Sequence, residues 1–278
     1  MRNFYTEGST SPFLGWITSA RLDIKRDNFL TERELEYFAE PLTAFASFLG
    51  APHPQGFLDV AYNWLLQNHG HDDIGGCSRD IISKDMLFRS RQACEIANCL
   101  VDNALRDIVS SIDFGDSSSD DIAVVAYNPT PFNRTEVINL HLEIPKDWQV
   151  NDIELYDEND EKVEINLVDK IEDSFPLVES KTDACGVYLT SKYIIEALVK
   201  DIPSYGYKTY FVKGIEKTRY HQPTTMRTAP QTMENEFLSV TINSNGTLKI
   251  YDKKNDRTFD NMGYFTDNSA IGNPWERI

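Results

Sequence analysis

The chain reads as a multidomain protein, α first and β afterwards: a three-helix bundle, then an antiparallel β-sandwich domain, then the start of a further β unit. Three observations predict this order. Apolar residues recur at three- and four-residue steps as far as about residue 113. A small acidic stretch, Gly115-Asp116-Ser117-Ser118-Ser119-Asp120-Asp121, then forms a linker that can bury nothing. Beyond it the helical period disappears, and short alternating runs are separated by Asp, Asn, Gly and Pro.

Residues 1–20, rich in Gly, Ser, Thr and Pro, read as an extended lead-in segment. The bundle is expected over 21–114. Leu35, Phe38, Ala39, Leu42, Phe45, Ala46 and Leu49 make its first stripe, which Pro41 should end or kink near Glu40. Gly50, Pro52 and Pro54 close that run. Phe57, Leu58, Ala61, Trp64 and Leu65 share one face of a second, shorter helix. The third is the clearest: Ala93, Ile96, Ala97, Leu100, Ala104, Leu105, Ile108 and Ile112, capped by Ser83 or Ser78. Three helices with one apolar face each bury those faces against one another.

A small β-sandwich is expected over 122–215. Ile122 to Tyr127 is an apolar run closed by Asn128-Pro129-Thr130-Pro131. Ile138, Leu140, Leu142 and Ile144 alternate with Val137, Asn139, His141 and Glu143, as in a half-buried strand. Further strands read at 153–156, 162–167, 187–199 and 207–213. The last unit, 232–278, opens with strand Glu236 to Ile242, a turn at Asn243-Ser244-Asn245-Gly246, and a return strand to Tyr251. So small a β unit is marginal alone. It must pack on the preceding domain or belong to a larger sheet.

The net charge of −17, from 44 acidic and 27 basic residues, excludes the basic footprint that nucleic acid or an anionic membrane requires. No apolar run approaches a membrane span, and the N-terminus lacks a signal-peptide core. The four cysteines, Cys77, Cys94, Cys99 and Cys185, form no Cys-x-x-Cys pair, and reduced thiols in a cytoplasmic protein are the simplest reading.

Chemistry concentrates in Asn68-His69-Gly70-His71-Asp72-Asp73-Ile74-Gly75-Gly76-Cys77-Ser78, between two apolar helices. Two histidines and two carboxylates fall within five residues, a density of metal-capable groups that a solvated loop rarely needs. The plainer readings are a helix-terminal histidine for His71 and a turn or N-cap carboxylate for Asp72. Asp73 reads as a solvated charge, and His69 as structural. Phe38, Phe45, Phe57 and Trp64 lie on helical stripes and read as core. Trp16 is the best aromatic candidate for meeting another domain.

With Ser19-Ala20-Arg21, Lys25, Asn28, Ala39-Glu40-Pro41-Leu42, Asn128-Pro129-Thr130-Pro131, Pro203-Ser204-Tyr205-Gly206-Tyr207, Glu234-Asn235-Glu236-Phe237 and Asn245-Gly246-Thr247-Leu248, the His/Asp stretch resembles the C-terminal half of the α-mannosidases of glycoside hydrolase family thirty-eight, in their bacterial form. The resemblance implies a retaining exo-acting hydrolase that removes terminal α-mannose from oligosaccharides and carries one zinc ion. Most zinc ligands, the nucleophile and the acid/base carboxylate come in that family from an N-terminal barrel, which would be the partner of this chain. His71 matches the remaining zinc ligand and Asp72 the sugar-binding aspartate, and the resemblance places no catalytic residue in this chain. Residues 232–278 then match the truncated start of the family's large C-terminal β-sandwich.

Gly70, Asp73 and Gly75 depart from the residues usual there, without removing a ligand. Asp267-Asn268-Ser269-Ala270-Ile271-Gly272-Asn273 is a weak version of an acidic family stretch. This chain alone is expected to be inactive. The alternative is a non-catalytic carbohydrate-binding or interaction module, and a homodimer stays open. A self-contained His/Asp metal hydrolase would need a second ligand cluster, which the sequence lacks.

Overall fold

The structure, a computed structural model, describes residues 15–18, 20–115, 121–178, 186–217 and 226–265. The 116–120 part of the linker, Ser19, Cys185, the 267–273 stretch and the Trp16 side chain lie outside what is described. Helices come first and several antiparallel sheets follow, in the expected order. The chain divides into two compact units at Lys217.

A short 3-10 turn, Gly15–Thr18, precedes α1 (Leu22–Arg33). A π-helical segment, Glu34–Ala39, joins α1 directly to α2 (Glu40–Phe48). Pro41 therefore does not end the helix. Proline lacks an N–H, and its ring crowds the carbonyl four residues back. The chain relieves both problems by widening the preceding turn: the Glu40 N–H donates to the Leu35 carbonyl, five residues back. Pro41 then sits in the first turn of α2, where no N–H is needed.

Next come α3 (Gln55–Gln67), the single-turn α4 (His71–Gly75) and the long α5 (Asp80–Ser110). Leu35, Ala39, Leu58, Ala61, Leu65, Ala93, Ala97 and Leu100 form one buried cluster between these helices. Leu42, Ala46, Ala104 and Ile108 form a second. The alanines let the helix backbones approach closely, and the leucines fill the spaces between them. The Tyr62 hydroxyl donates to Glu40 Oε2 at 2.6 Å, tying α3 to α2.

Three expectations within the helices need correction. Leu49, the last of the first stripe, is 46% exposed, because it is the C-cap of α2 and the helical step ends before it. Phe57 is 64% exposed, because the buried row of α3 is Leu58, Ala61 and Leu65, and Phe57 lies one position off it. The N-cap of α5 is Arg79, not a serine; Ser83 is buried inside the helix, and its hydroxyl finds no partner among the described residues.

The sandwich follows in the same unit. Its strands are β1 (Ile122–Asn128), β2 (Arg134–Pro145), β3 (Asp152–Asp157), β4 (Ile165–Ser174), the short pair β5 (Leu177–Val178) and β6 (Gly186–Val187), β7 (Thr190–Ile202) and β8 (Gly206–Ile215). They make two three-stranded antiparallel sheets, ordered β1-β8-β3 and β2-β7-β4. The even-numbered face of β2 turns inward as the alternation requires. Leu142 and Ile144 join Ile153, Leu155, Tyr193, Ile195, Ala197, Val199, Tyr210 and Val212 in one core. β4 begins later than its sequence suggests, since Lys162 forms only an isolated bridge to Tyr156 beside the turn at Asp157–Glu161. Phe45 of α2 meets Tyr127 of β1 with ring centroids 5.6 Å apart, so helices and sandwich share a contact.

The second unit is a meander of β9 (Arg227–Ala229), β10 (Thr232–Glu234), β11 (Leu238–Ile242), β12 (Leu248–Asp252) and β13 (Arg257–Met262), ordered β13-β12-β11-β10-β9. Its register puts Met233, Leu238, Val240, Ile242, Leu248, Ile250 and Met262 on one face. Thr247 is the only buried residue described in this unit.

Candidate metal and sugar site

The His/Asp stretch starts where α3 is pinned to α5. Asn68, at the C-cap of α3, is 1% exposed. Its Nδ2 donates to the Met86 carbonyl at 2.9 Å and to Ser90 Oγ at 3.1 Å, and Arg89 donates to its Oδ1 at 3.4 Å. The chain then turns sharply through Gly70 into α4. Gly70 caps that turn through its carbonyl, which accepts from the Asp73 and Ile74 N–H groups, both at 2.9 Å. Gly76 ends it with φ +83, so the chain can reverse toward α5.

His71 and Asp72 stand on the outside of this turn. The His71 side chain is 95% exposed, and its Nε2 lies 3.5 Å from Asp72 Oδ1. His69 points the other way, onto α1, with Nε2 2.9 Å from Asn28 Oδ1 and 3.4 Å from Glu32 Oε1. The structural reading of His69 therefore stands. Asp73 accepts a hydrogen bond from the Ser78 hydroxyl, which turns its carboxylate back into the loop. The Cys77 thiol donates to the Asp72 carbonyl at 3.3 Å and to Asp72 Oδ1 at 3.4 Å. Desolvation first, then that bond to a carboxylate, pushes the Cys77 thiol above its ordinary pKa.

An exposed neutral imidazole is a good lone-pair donor to zinc, and an exposed carboxylate is a good acceptor for sugar hydroxyls. Among the described residues no group of three or more His, Cys, Asp or Glu gathers as a metal site. The residues present would fit a single ligand of a zinc site, His71. Two contributors carried no signal of their role in the sequence. Lys25 donates to the carbonyls of Ala20 and Ile74 at 2.6 and 2.7 Å. Arg21 donates to the Gly76 carbonyl at 3.3 Å and pairs with Asp80, whose carboxyl it holds below the usual range. The sequence marked them as family-like letters, but only the fold shows that they hold this turn.

The two glycines flanking the turn differ in what they tolerate. A Cβ on Gly76 would lie 3.2 Å from the Ala20 carbonyl oxygen, on a backbone of positive φ. Gly76→Ala is expected to cost about 1–2 kcal/mol and to displace the turn. Gly70 has φ −50, and its added Cβ would meet Asp73 Oδ2 at an ordinary 3.4 Å. Gly70→Ala should stay within about 0.5 kcal/mol of the parent, the loss of unfolded-chain freedom offsetting alanine's poorer capping. Denaturant melts of both variants check the contrast; equal costs would contradict it.

No protein-family model matches the chain. A curated protein of Halalkalibacterium halodurans named "Putative mannosylglycerate hydrolase" is 23% identical over 293 residues, covering 94% of this chain and 31% of that protein. The crystal structure of an alpha-mannosidase from Enterococcus faecalis V583 superposes with a TM-score of 0.79 at 28% identity, over 89% of this chain and 30% of that one. A protein in glycosyl hydrolase family 38 from Enterococcus faecalis gives 0.77 at 27% identity, over 90% and 31%. The chain spans about three tenths of the length of the relatives it matches. With fold and sequence agreeing over nearly its whole length, this chain is a relative of the glycosyl hydrolase family 38 α-mannosidases and corresponds to about three tenths of such a protein.

Proposed function

We propose that the chain is part of a zinc-dependent retaining exo-α-mannosidase, to which its helices, as a three-helix bundle, contribute one metal ligand and one sugar contact. His71 is the ligand and Asp72 the contact. The observation that carries this reading is the exposed His71-Asp72 pair on a turn anchored at both ends, in a chain akin to α-mannosidases. Zinc bound there supplies a positive centre that orients two sugar hydroxyls and stabilises charge at the reacting ring. His71 holds its share of that centre through one ring nitrogen. Asp72 accepts hydrogen bonds from the sugar and so fixes the ring's orientation. The Cys77 thiol and Asp73–Ser78 bond restrain the two side chains' backbone.

The substrate class is a terminal α-mannoside. The oligosaccharide reading comes from the α-mannosidase relatives. The curated relative's name adds mannosylglycerate, in which the leaving group is a small acid. The apolar face of β10–β13 is read as the inner layer of a larger β-sandwich. Three described cysteines are free thiols, which supports a cytoplasmic setting. Among the described residues no helix is long and apolar enough to cross a membrane.

The chain by itself is expected to show no hydrolysis. A retaining mechanism needs two carboxylates about 5 Å apart across one glycosidic bond, and both are assigned to the N-terminal barrel. Aryl α-mannoside and mannosylglycerate assays of the purified chain, beside the complete protein, test this. Turnover by the chain above a His71→Ala control would overturn it. Binding of mannosides by the chain, with no hydrolysis by the complete protein, would favour the carbohydrate-binding module instead.

A further inference from the structure

We propose that the start of α1, its N-cap Arg21 together with Lys25 and Asn28 on one face, is the positioning device of the His71–Asp72 turn, with Lys25 at its centre. This rests on the reading of His71 and Asp72 given above. Lys25 and Asn28 stand three residues apart and so share one face of the first turns of α1, and Arg21 is the residue that caps the helix just before them. Their partners bracket the turn. Asn28 Oδ1 lies 2.9 Å from His69 Nε2, two residues before His71. Lys25 Nζ donates to the Ile74 carbonyl at 2.7 Å, two residues after Asp72. Arg21 Nε donates to the Gly76 carbonyl at 3.3 Å, and its guanidinium reaches Asp80 at the start of α5.

The ammonium of Lys25 is directed at two backbone carbonyls, Ala20 and Ile74, and so joins the start of α1 to the end of α4. Desolvation lowers its pKa despite the nearby Asp23 charge, as expected of a cation drawn in from solvent to serve carbonyls. Arg21 takes φ 48, a left-handed backbone that a non-glycine residue adopts at a cost. Gly76 comes so close to Ala20 that even a methyl group would crowd it.

A single helical turn of five residues has few hydrogen bonds of its own. Without external ties its side chains would wander by more than the ~0.5 Å that a metal or sugar site tolerates. The start of α1 supplies those ties on both sides of the pair. None of the three contacts His71 or Asp72 directly; Lys25 and Arg21 hold the backbone of the turn, and Asn28 holds the His69 ring that leads into it.

The test uses Cys77 as a reporter, since its thiol donates to Asp72 within the turn and loss of the turn would free it. Lys25→Met, Lys25→Arg and the parent chain are labelled with a thiol reagent, and the rates at Cys77 and Cys99 are read by peptide mapping. Cys99 is exposed on α5 and serves as the internal control. Lys25→Met should speed labelling at Cys77 by roughly ten-fold, the loss expected when a charge-assisted tie stops holding a local closed state. Cys99 should be unchanged, and Lys25→Arg should restore the parent rate. If Lys25→Met fails to fold, Asn28→Ala, which frees the His69 end alone, is read in the same way.

An unchanged Cys77 rate in a folded variant overturns the proposal. So does an equal rise at Cys99, which would mark general loosening. Neither result depends on mannosidase activity. In the complete protein Lys25→Met should lower kcat, with Lys25→Arg rescuing it. A released turn in a protein that never hydrolyses mannosides would leave the positioning role standing and remove the mannosidase reading.

Discussion

Replacing His71 with alanine in the complete protein is expected to lower α-mannoside turnover by at least ~100-fold, while the melting temperature of the chain stays within a degree or two. The two halves of that expectation have separate causes. The His71 ring is 95% exposed and its nearest charged neighbour, Asp72, is 59% exposed, so its removal leaves no cavity and no buried orphan. Its loss should therefore be nearly silent in stability. If the ring is one of the zinc ligands, removing it takes away a first contact of the metal; even the residues behind such ligands are worth ~10–100-fold. Metal content should fall with activity. Asp72→Asn separates the roles: the carboxylate is lost but the imidazole remains, so zinc should stay while sugar affinity and turnover drop. Normal metal content and normal turnover in His71→Ala would return His71 to the plainer reading of a histidine at a helix end.

The long elements were legible because each has one dominant period. Ala93, Ala97, Leu100, Ala104 and Ile108 keep a 3.6-residue step through α5, and all five are buried. Leu142 and Ile144 keep a two-residue step through β2 and enter the sandwich core. What the pattern could not show is how local conflicts are resolved. Pro41 announces that helical bonding must fail nearby, but a break, a kink and a π turn all satisfy that demand, and the choice depends on burying Leu35 and Ala39 on one side of the joint. Phe57 illustrates a second limit. At the first turn of a helix, one position off the buried row, hydrophobicity alone does not distinguish inside from outside.

The site divides in the same way. His71 and Asp72 could be singled out in the sequence because their residue types and the surrounding motif are local. Their support could not. Lys25 and Ile74 are 49 residues apart, and Arg21 and Gly76 are 55 apart; nothing in either segment names the other. The family-like letters at Arg21, Lys25 and Asn28 marked the helix without giving its purpose. Asn68 was visible as part of the motif, but its burial against Met86 and Ser90 follows only from how α3 crosses α5.

The largest stability loss outside the apolar core is expected at Asn128, which explains why two separate landmarks occur in the β domain. Asn128 is 1% exposed at the end of β1. Its Nδ2 donates to the carbonyls of Phe132, Ile202 and Pro203 at 2.8, 3.3 and 3.0 Å. Its Oδ1 accepts from the Thr130 N–H at 3.0 Å and the Thr130 hydroxyl at 2.6 Å. The knot is closed by the Tyr205 N–H donating to the Thr130 carbonyl at 3.0 Å and by the Ser204 N–H donating to the Asn133 side-chain Oδ1 at 3.1 Å. Asn128-Pro129-Thr130-Pro131 and Pro203-Ser204-Tyr205-Gly206-Tyr207 are therefore one structure, where β1 leaves its sheet and β7 passes into β8. Asn128→Ala strips partners from three carbonyls and an N–H at once. Some lie near the surface and can recover water, so the expected loss is about 2–4 kcal/mol rather than the sum of all the bonds. In a unit of this size that is roughly a 5–15 °C fall in melting temperature. Asn128→Asp should be at least as harmful, because it removes the donor and aims a negative charge at those same carbonyls. Thermal melts of the two variants decide it: if Asn128→Asp melts with the parent, the amide is not what joins the two landmarks, and the turn residues themselves must hold β1 against β8.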